Sequence, residues 1–296
     1  MISYVMKRLK VEPIPVPTKS KHPPPSNDVL PNHEFTLGLI APKGCGKTTM
    51  ICNLLKFYKG YFHTILVFSP TVASDEKWDY VKNLKLLAQN KPLYDWVKEL
   101  QDQKTNNPVV PVRESGAKDM EGLVKYDEDF DGKIPEEHFF DDYNSETLEK
   151  ILDEQMTLIK LLKKHGMTKH LANRMLIIFD DLVGSSLFTN ARNNVFKGLN
   201  TRHRHYSCSM IMVSQGYKEI PKTVRTNWSC LIIFEIGNEK EIEVISEEFS
   251  LGMNSKQWME AYQHCVGDEF GFMYINYQKP RRLRLMKNFD QVLFFQ

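Results

Sequence analysis

The stretch FTLGLIAPKGCGKTTMICNLLKFY, residues 35–58, constrains this chain more than any other. An apolar run, a glycine-containing loop and a run with helical spacing follow one another without a break. The loop matches G-x-x-x-x-G-K-[ST] except that Ala41 stands where the first glycine belongs. A loop that wraps a triphosphate needs inward-pointing N–H groups and a following helix whose positive end faces the anion. Gly44 and Gly46 supply the backbone freedom, Lys47 would reach the β and γ phosphates, and Thr48 offers a hydroxyl to Mg²⁺. Pro42, Lys43, Gly44, Cys45, Gly46, Lys47, Thr48 and Thr49 are therefore the candidate nucleotide-binding residues. Ala41 sits at the strand exit, where a methyl group costs little if φ is negative.

The rest of the chain extends this unit. HTILVFSPT (63–71) is a second apolar run, so strand, loop, helix and strand make a βαβ unit that demands a parallel sheet. RMLIIFDDL, YSCSMIMVSQG and SCLIIFEIG read as three more strands buried on both faces. FGFMYINYQKPRRLRLMKNF reads as two further strands joined by a turn at Gln278 to Pro280, a C-terminal β-hairpin. Residues 1–34 are rich in proline and lysine and read as an extended arm, leaving 35–296 as the folded domain. Within it, about 74–170 is a helical and acidic elaboration, with an amphipathic helix at roughly Glu146 to Lys164 and Ser145 as its N-cap.

Bulk properties exclude some classes. No apolar run reaches the roughly eighteen residues of a membrane span, and the N-terminus lacks a secretory leader pattern. Five scattered cysteines without a C-x-x-C pair point to reduced thiols in an intracellular compartment rather than to disulfides or a zinc ribbon. DEDFDGKIPEEH begins like a calcium loop, but His138 occupies the position that requires a bidentate glutamate, so this is an acidic surface loop. The two histidines of HRH lack the clustered ligands of a metal site. A GTPase is disfavoured, because NKPL has Leu93 where a base-reading aspartate belongs.

Other residues complete a catalytic set. A P-loop nucleotide needs its Mg²⁺ held from a neighbouring strand end, which makes Asp180 the metal candidate beside Thr48, and Asp181 the residue that polarises water. Gln215, at the end of the fourth strand, is either an exposed loop residue or a sensor of the γ-phosphate. Arg202, Arg204 and Arg225 are candidates for an arginine inserted into a neighbouring subunit's site, or simply solvated loop residues.

APKGCGKTT, MLIIFDDL and RHYSCSMIMVSQGYKEIPKTVRTNWSCLIIF together resemble the genome-packaging ATPases of large DNA viruses of eukaryotes, the poxvirus-type members of the FtsK/HerA superfamily. The resemblance runs from about Phe35 to Gly237. It implies a RecA-like additional-strand P-loop fold: a mainly parallel α/β sheet flanked by helices, with the Gln215 strand between the Lys47 and Asp180 strands. Gln215 would then point at the γ-phosphate. The resemblance further implies ATP and Mg²⁺ as cofactors, and a homo-oligomeric ring, hexamer or pentamer, that drives double-stranded DNA into a capsid. Arg204 or Arg225 would act in trans, beside Lys47, Asp181 and Gln215 as the catalytic set. Capsid or packaging-vertex proteins become partners, and host cytoplasm, viral factory or virion the location. Asp181 departs from the glutamate that many relatives carry.

Basic clusters agree with DNA as a partner: Lys7, Arg8, Lys10, Lys19 and Lys21 on the arm, and Lys279, Arg281, Arg282, Arg284 and Lys287 near the C-terminus. Two other readings stay open, another DNA-pumping ATPase of the superfamily and a nucleotide-gated module that binds without translocating.

Overall fold

A computed structural model describes residues 22–88, 130–164, 169, 172–182, 184–188 and 194–294. Nine strands form one sheet in the order β3-β2-β4-β5-β1-β6-β7-β8-β9. In chain order these are β1 (Thr36–Ile40), β2 (Thr64–Phe68), β3 (Phe139–Phe140), β4 (Met175–Asp180), β5 (Cys208–Ser214), β6 (Cys230–Ile233), β7 (Met273–Asn276), β8 (Leu285–Lys287) and β9 (Gln291–Val292). The first six run parallel to their neighbours. The last three continue from β6 as an antiparallel meander. β5 lies between β1 and β4, so the additional-strand order that the resemblance implies is present.

Helices cover both faces. α1 (Lys47–Phe57) and α2 (Glu76–Lys82) pack on one. There Ile51, Leu54, Trp78 and Val81 meet Leu37 and Leu39 of β1 and Ile178 of β4. On the other lie α3 (Ser145–Lys164), α4 (Val195–Arg202), the single turn α5 (Lys222–Arg225), α6 (Glu239–Glu248) and α7 (Ser255–Val266). Leu148, Leu152, Phe196, Ile245 and Trp258 bury there against Ile177, Met212 and Ile233. This is why the strands read as unbroken apolar runs: alternate residues enter different cores, and neither face is wet. Gly38 has a separate purpose. A Cβ there would fall 2.3 Å from the Trp228 ring, so the glycine lets the indole lie directly on β1.

Four local readings change. Asn144 rather than Ser145 caps α3: its Oδ1 accepts from the Thr147 amide at 2.9 Å, and Ser145 is already inside the helix. The β7–β8 connection is longer than a turn at Gln278 to Pro280, because it holds a 3₁₀ turn at Arg281–Leu283. Ser74–His170 contributes more than helices, since Phe139–Phe140 pairs parallel with β2 and Phe140 stacks on Phe68 at 4.6 Å. α6 and α7 have no counterpart in the sequence reading; α7 starts with a full capping box between Asn254 and Gln257.

Residues 22–34 carry no helix or strand and lie along the domain. Leu30 is buried, and the Tyr58 and Tyr61 hydroxyls donate to the Pro31 and Pro23 carbonyls. The arm lysines, and Asp127 and Asp129 of the acidic loop, lie outside the described residues.

Candidate nucleotide site

The C-terminal ends of β1, β4 and β5 meet at one point, as parallel pairing requires. Ala41, at the exit of β1, keeps the pairing by donating its amide to the Ser214 carbonyl at 3.1 Å. Among the described residues it is not one of those with positive φ. Its methyl is fully buried, so the missing first glycine leaves the loop path intact. The turn is made further on, where Gly44 and Gly46 have φ of 87° and 86°, a region that side chains rarely enter. α1 then starts with Gly46 as N-cap, with no side-chain cap and no acidic residue in the first turn. Its first amides are left for an anion. Pro42 and Cys45 close the loop through a 3.3 Å backbone bond, Lys43 and Thr49 are exposed, and Thr48 sits in the first helical turn.

The carboxylates are held differently. Asp180 ends β4 and is 3% exposed. Ser69, just past β2, donates its hydroxyl to Asp180 Oδ2 at 2.7 Å, whereas Asp180 Oδ1 is buried without a hydrogen-bond partner. Burial, reinforced by the neighbouring Asp181 charge, pushes the Asp180 carboxyl up to about 6 against the Ser69 hydrogen bond. Asp181 turns into the left-handed region at φ 53°, which aspartate tolerates better than bulkier residues. Its Oδ2 lies 4.0 Å from Lys47 Nζ and accepts from Gln215 Nε2 at 2.6 Å. Gln215 is presented by a braced turn, in which the Ser214 hydroxyl and Gly216 amide both donate to Glu219 Oε2.

Lys47, Asp180, Asp181 and Gln215 are thus brought together. The two hard oxygen donors, Thr48 Oγ1 and the unpartnered Asp180 Oδ1, fit Mg²⁺, which favours one or two carboxylates beside substrate phosphates. Sequence reasoning missed Ser69 and Glu219. VFSP does carry the first signal, a hydroxyl one residue beyond a buried strand next to the Asp180 strand.

The two arginines part company. Arg225 is 6% exposed, and its guanidinium is consumed within the subunit. It grips Glu248 at 2.9 and 3.2 Å, donates to the Tyr217 and Ile220 carbonyls, and lies over the Tyr217 ring at 4.2 Å. The structure brings Arg225 neither to the cradle nor to the surface. Arg204 is exposed in the 3₁₀ turn His203–Tyr206 that leads into β5, so it lies at the end of the sheet away from its own cradle. Arg202 is exposed beside it and donates to the Gly198 carbonyl one turn back, at 3.4 Å.

The C-terminal cations are also unequal. Lys279 donates to the Asp28 carbonyl, Arg284 donates to the Lys279 carbonyl, and Lys287 pairs with Asp268 at 2.5 Å. Arg281 and Arg282 are exposed at the same end of the sheet as Arg204. Among the described residues no group of three or more His, Cys, Asp or Glu could hold a metal, and no helix is long and apolar enough to cross a membrane.

Residues 122–266 match the model of the family described as Poxvirus A32 protein. The chain resembles the poxvirus A32 family. The A32-like segment is just under half of the chain; it contains Asp180, Asp181, Arg204, Gln215 and Arg225, and begins after the P-loop. No curated protein sequence matches. Among solved structures, the genome packaging NTPase B204 of Sulfolobus turreted icosahedral virus 2 in complex with AMP is 15% identical, with 82% of this chain and 93% of that chain covered at a TM-score of 0.45. The sulfate complex of the same protein is 13% identical, with 82% and 92% covered at 0.46. EssC (ATPases 2 and 3) from Geobacillus thermodenitrificans is 12% identical, with 87% and 38% covered at 0.45.

The Asp180 environment carries a pH prediction. The unfolded carboxyl titrates near its ordinary 3.8, so between about pH 4 and 6 the folded state holds more protons, and stability falls as pH rises through that window. Above pH 6 the full penalty of about 3 kcal/mol is present. In urea melts with divalent cations chelated, Asp180→Asn is expected to be more stable than wild type by about 1–3 kcal/mol at pH 7.5. The gap should close as pH approaches 4. An asparagine variant that is less stable at pH 7.5 would contradict the buried-charge account.

Proposed function

We propose that the protein is a P-loop ATPase that drives double-stranded DNA as a subunit of a homo-oligomeric ring, packaging a viral genome into a capsid. The observation that carries this reading is the convergence of Lys47, Asp180, Asp181 and Gln215 at adjacent strand ends beside an uncapped helix N-terminus, within a chain that resembles the poxvirus A32 family. In this reading the loop amides and Lys47 bind and orient the triphosphate. Thr48 and Asp180 hold Mg²⁺, which when bound offsets phosphate charge. Asp181 accepts hydrogen bonds from an attacking water and takes its proton; Gln215, already bonded to Asp181, fixes the direction of that carboxylate and reports the γ-phosphate. The shorter Asp181 side chain acts from a left-handed backbone position, with its Oδ2 4.0 Å from Lys47 Nζ.

Two features support the ring. Seven residues of β5 at about 3.3 Å each separate Arg204 from its own cradle, too far to serve it, which suits an arginine that completes a neighbour's site. Arg281 and Arg282, exposed at the same end, would suit phosphate contacts with DNA passing that end. The test is ATP hydrolysis with and without long double-stranded DNA, paired with native mass in the presence of ATP. Stimulation by DNA in an oligomer supports a motor, and hydrolysis indifferent to DNA in a competent oligomer favours the non-translocating module. Mixing Arg204→Ala subunits with Lys47→Ala subunits is expected to restore part of the hydrolysis that each loses alone. No recovery at any mixing ratio would refute the trans role.

A further inference from the structure

Phe270 is out of place for a phenylalanine. It is 61% exposed, while both flanking segments are tied down. Phe272 is buried against Phe234 and Phe289, with ring centroids at 5.4 and 5.0 Å. The Gly271 amide closes a tight turn onto the Asp268 carbonyl at 2.9 Å, and Asp268 is fastened to Lys287. Phe270 also has φ of 59°, a left-handed conformation that is a true outlier for a bulky side chain. A strained backbone holding an unburied aromatic persists only where its surroundings enforce it, and such positions cluster at ligand clamps.

Its location gives the ligand. A methyl group at Gly46 would lie 3.8 Å from the Phe270 ring, so the ring stands beside the last glycine of the phosphate cradle. The sheet order then orients any nucleotide in the cradle. Lys47, Asp181 and Gln215 gather toward β4 and β5, on one side of β1. Phe270 belongs to the loop entering β7, on the other side, with Met273 paired to Ile233 and Ile233 to Ile40 at the cradle end of the sheet. A triphosphate with its terminal phosphate at Asp181 and Gln215 must send its nucleoside the opposite way, toward β6 and β7.

We propose that Phe270 is the stacking platform for the nucleotide base, held ready in a left-handed turn. The inference rests on the P-loop reading above and adds the residue that binds the non-phosphate half of the ligand. Stacking uses the π-face that every base presents, so Phe270 supplies affinity with little choice between adenine and guanine.

Isothermal titration of the full chain with Mg-ADP, Mg-GDP and tripolyphosphate tests it. In Phe270→Ala, affinity for both diphosphates is expected to fall about ten-fold, with tripolyphosphate binding unchanged. Phe270→Trp is expected to keep diphosphate affinity, and its tryptophan fluorescence should be altered by ADP but not by tripolyphosphate. Unchanged ADP affinity in Phe270→Ala overturns the proposal, as does an equal loss for tripolyphosphate, which would mark a general defect in the loop. If wild type binds tripolyphosphate but gains nothing from a base, stacking alone fails. If wild type binds none of the three, the P-loop reading fails with it.

Discussion

Replacing Lys47 with alanine is expected, in the proposed ATPase, to lower ATP hydrolysis by at least about 10²–10³-fold, the scale seen when one preorganised donor is removed from an oxyanion site. The Lys47 side chain is 14% exposed and its ammonium stands 4.0 Å from Asp181 Oδ2, with Asp180 buried alongside. It is the cation that lets two carboxylates share a cleft with a polyanion. Without it the phosphate chain would face Asp180 and Asp181 across low-dielectric space, and both binding and turnover should fail. Asp181→Asn separates the two. It keeps the side-chain volume and leaves Lys47 and the loop amides in place, so nucleotide affinity should survive within a few-fold while turnover falls by about 10²–10⁴-fold. Steady-state hydrolysis together with ADP titration measures both. If Lys47→Ala retains more than a tenth of wild-type turnover, phosphate binding does not run through this loop.

Arg225→Ala is expected to destabilise the fold by about 2–4 kcal/mol in urea or guanidinium unfolding, because it breaks a partly buried ion pair and strands the carbonyls that the guanidinium serves. The guanidinium joins the β5–β6 connection to the end of α6: two bonds to Glu248, two to backbone carbonyls and a face against Tyr217. The Tyr217 hydroxyl also donates to Glu248 Oε2, so the loss would strand several groups at once. A finger arginine would behave in the opposite way, with wild-type stability and lost hydrolysis. Arg204→Ala should show that second pattern. Stability therefore separates the structural Arg225 from Arg204, and the loss of hydrolysis in Arg204→Ala then identifies the finger.

Much of this was legible from residues, for a physical reason. β1, β2, β4, β5 and β6 are buried on both faces, so each announces itself as an apolar run, and the loop after β1 needs glycines at fixed offsets. The convergence of Lys47 with Asp181 and Gln215 follows from parallel order once β5 lies beside β1. What was not legible depends on partners distant in sequence. RTN in residues 225–227 gives no hint that Arg225 is spoken for by Glu248, 23 positions on. Ser69 becomes meaningful only when β2 pairs with β4 and its hydroxyl meets Asp180. β3 is two residues long and follows no periodicity, α6 buries only Ile242 and Ile245 in a polar stretch, and the buried positions of α7 (Trp258, Ala261, Tyr262, Cys265 and Val266) are interleaved with polar residues. Phe270 looks like core in sequence, because phenylalanine usually is.

The two outermost strands of the described sheet, β3 and β9, are each two residues long. A sheet of this width offers a template for runaway strand addition if either margin presents a long row of unpaired amides and carbonyls. Here both margins are too short to recruit a foreign strand. Copies of this chain at high local concentration would be steered away from fibrous self-association, and in the proposed ring the contacts between them would fall to helices and loops.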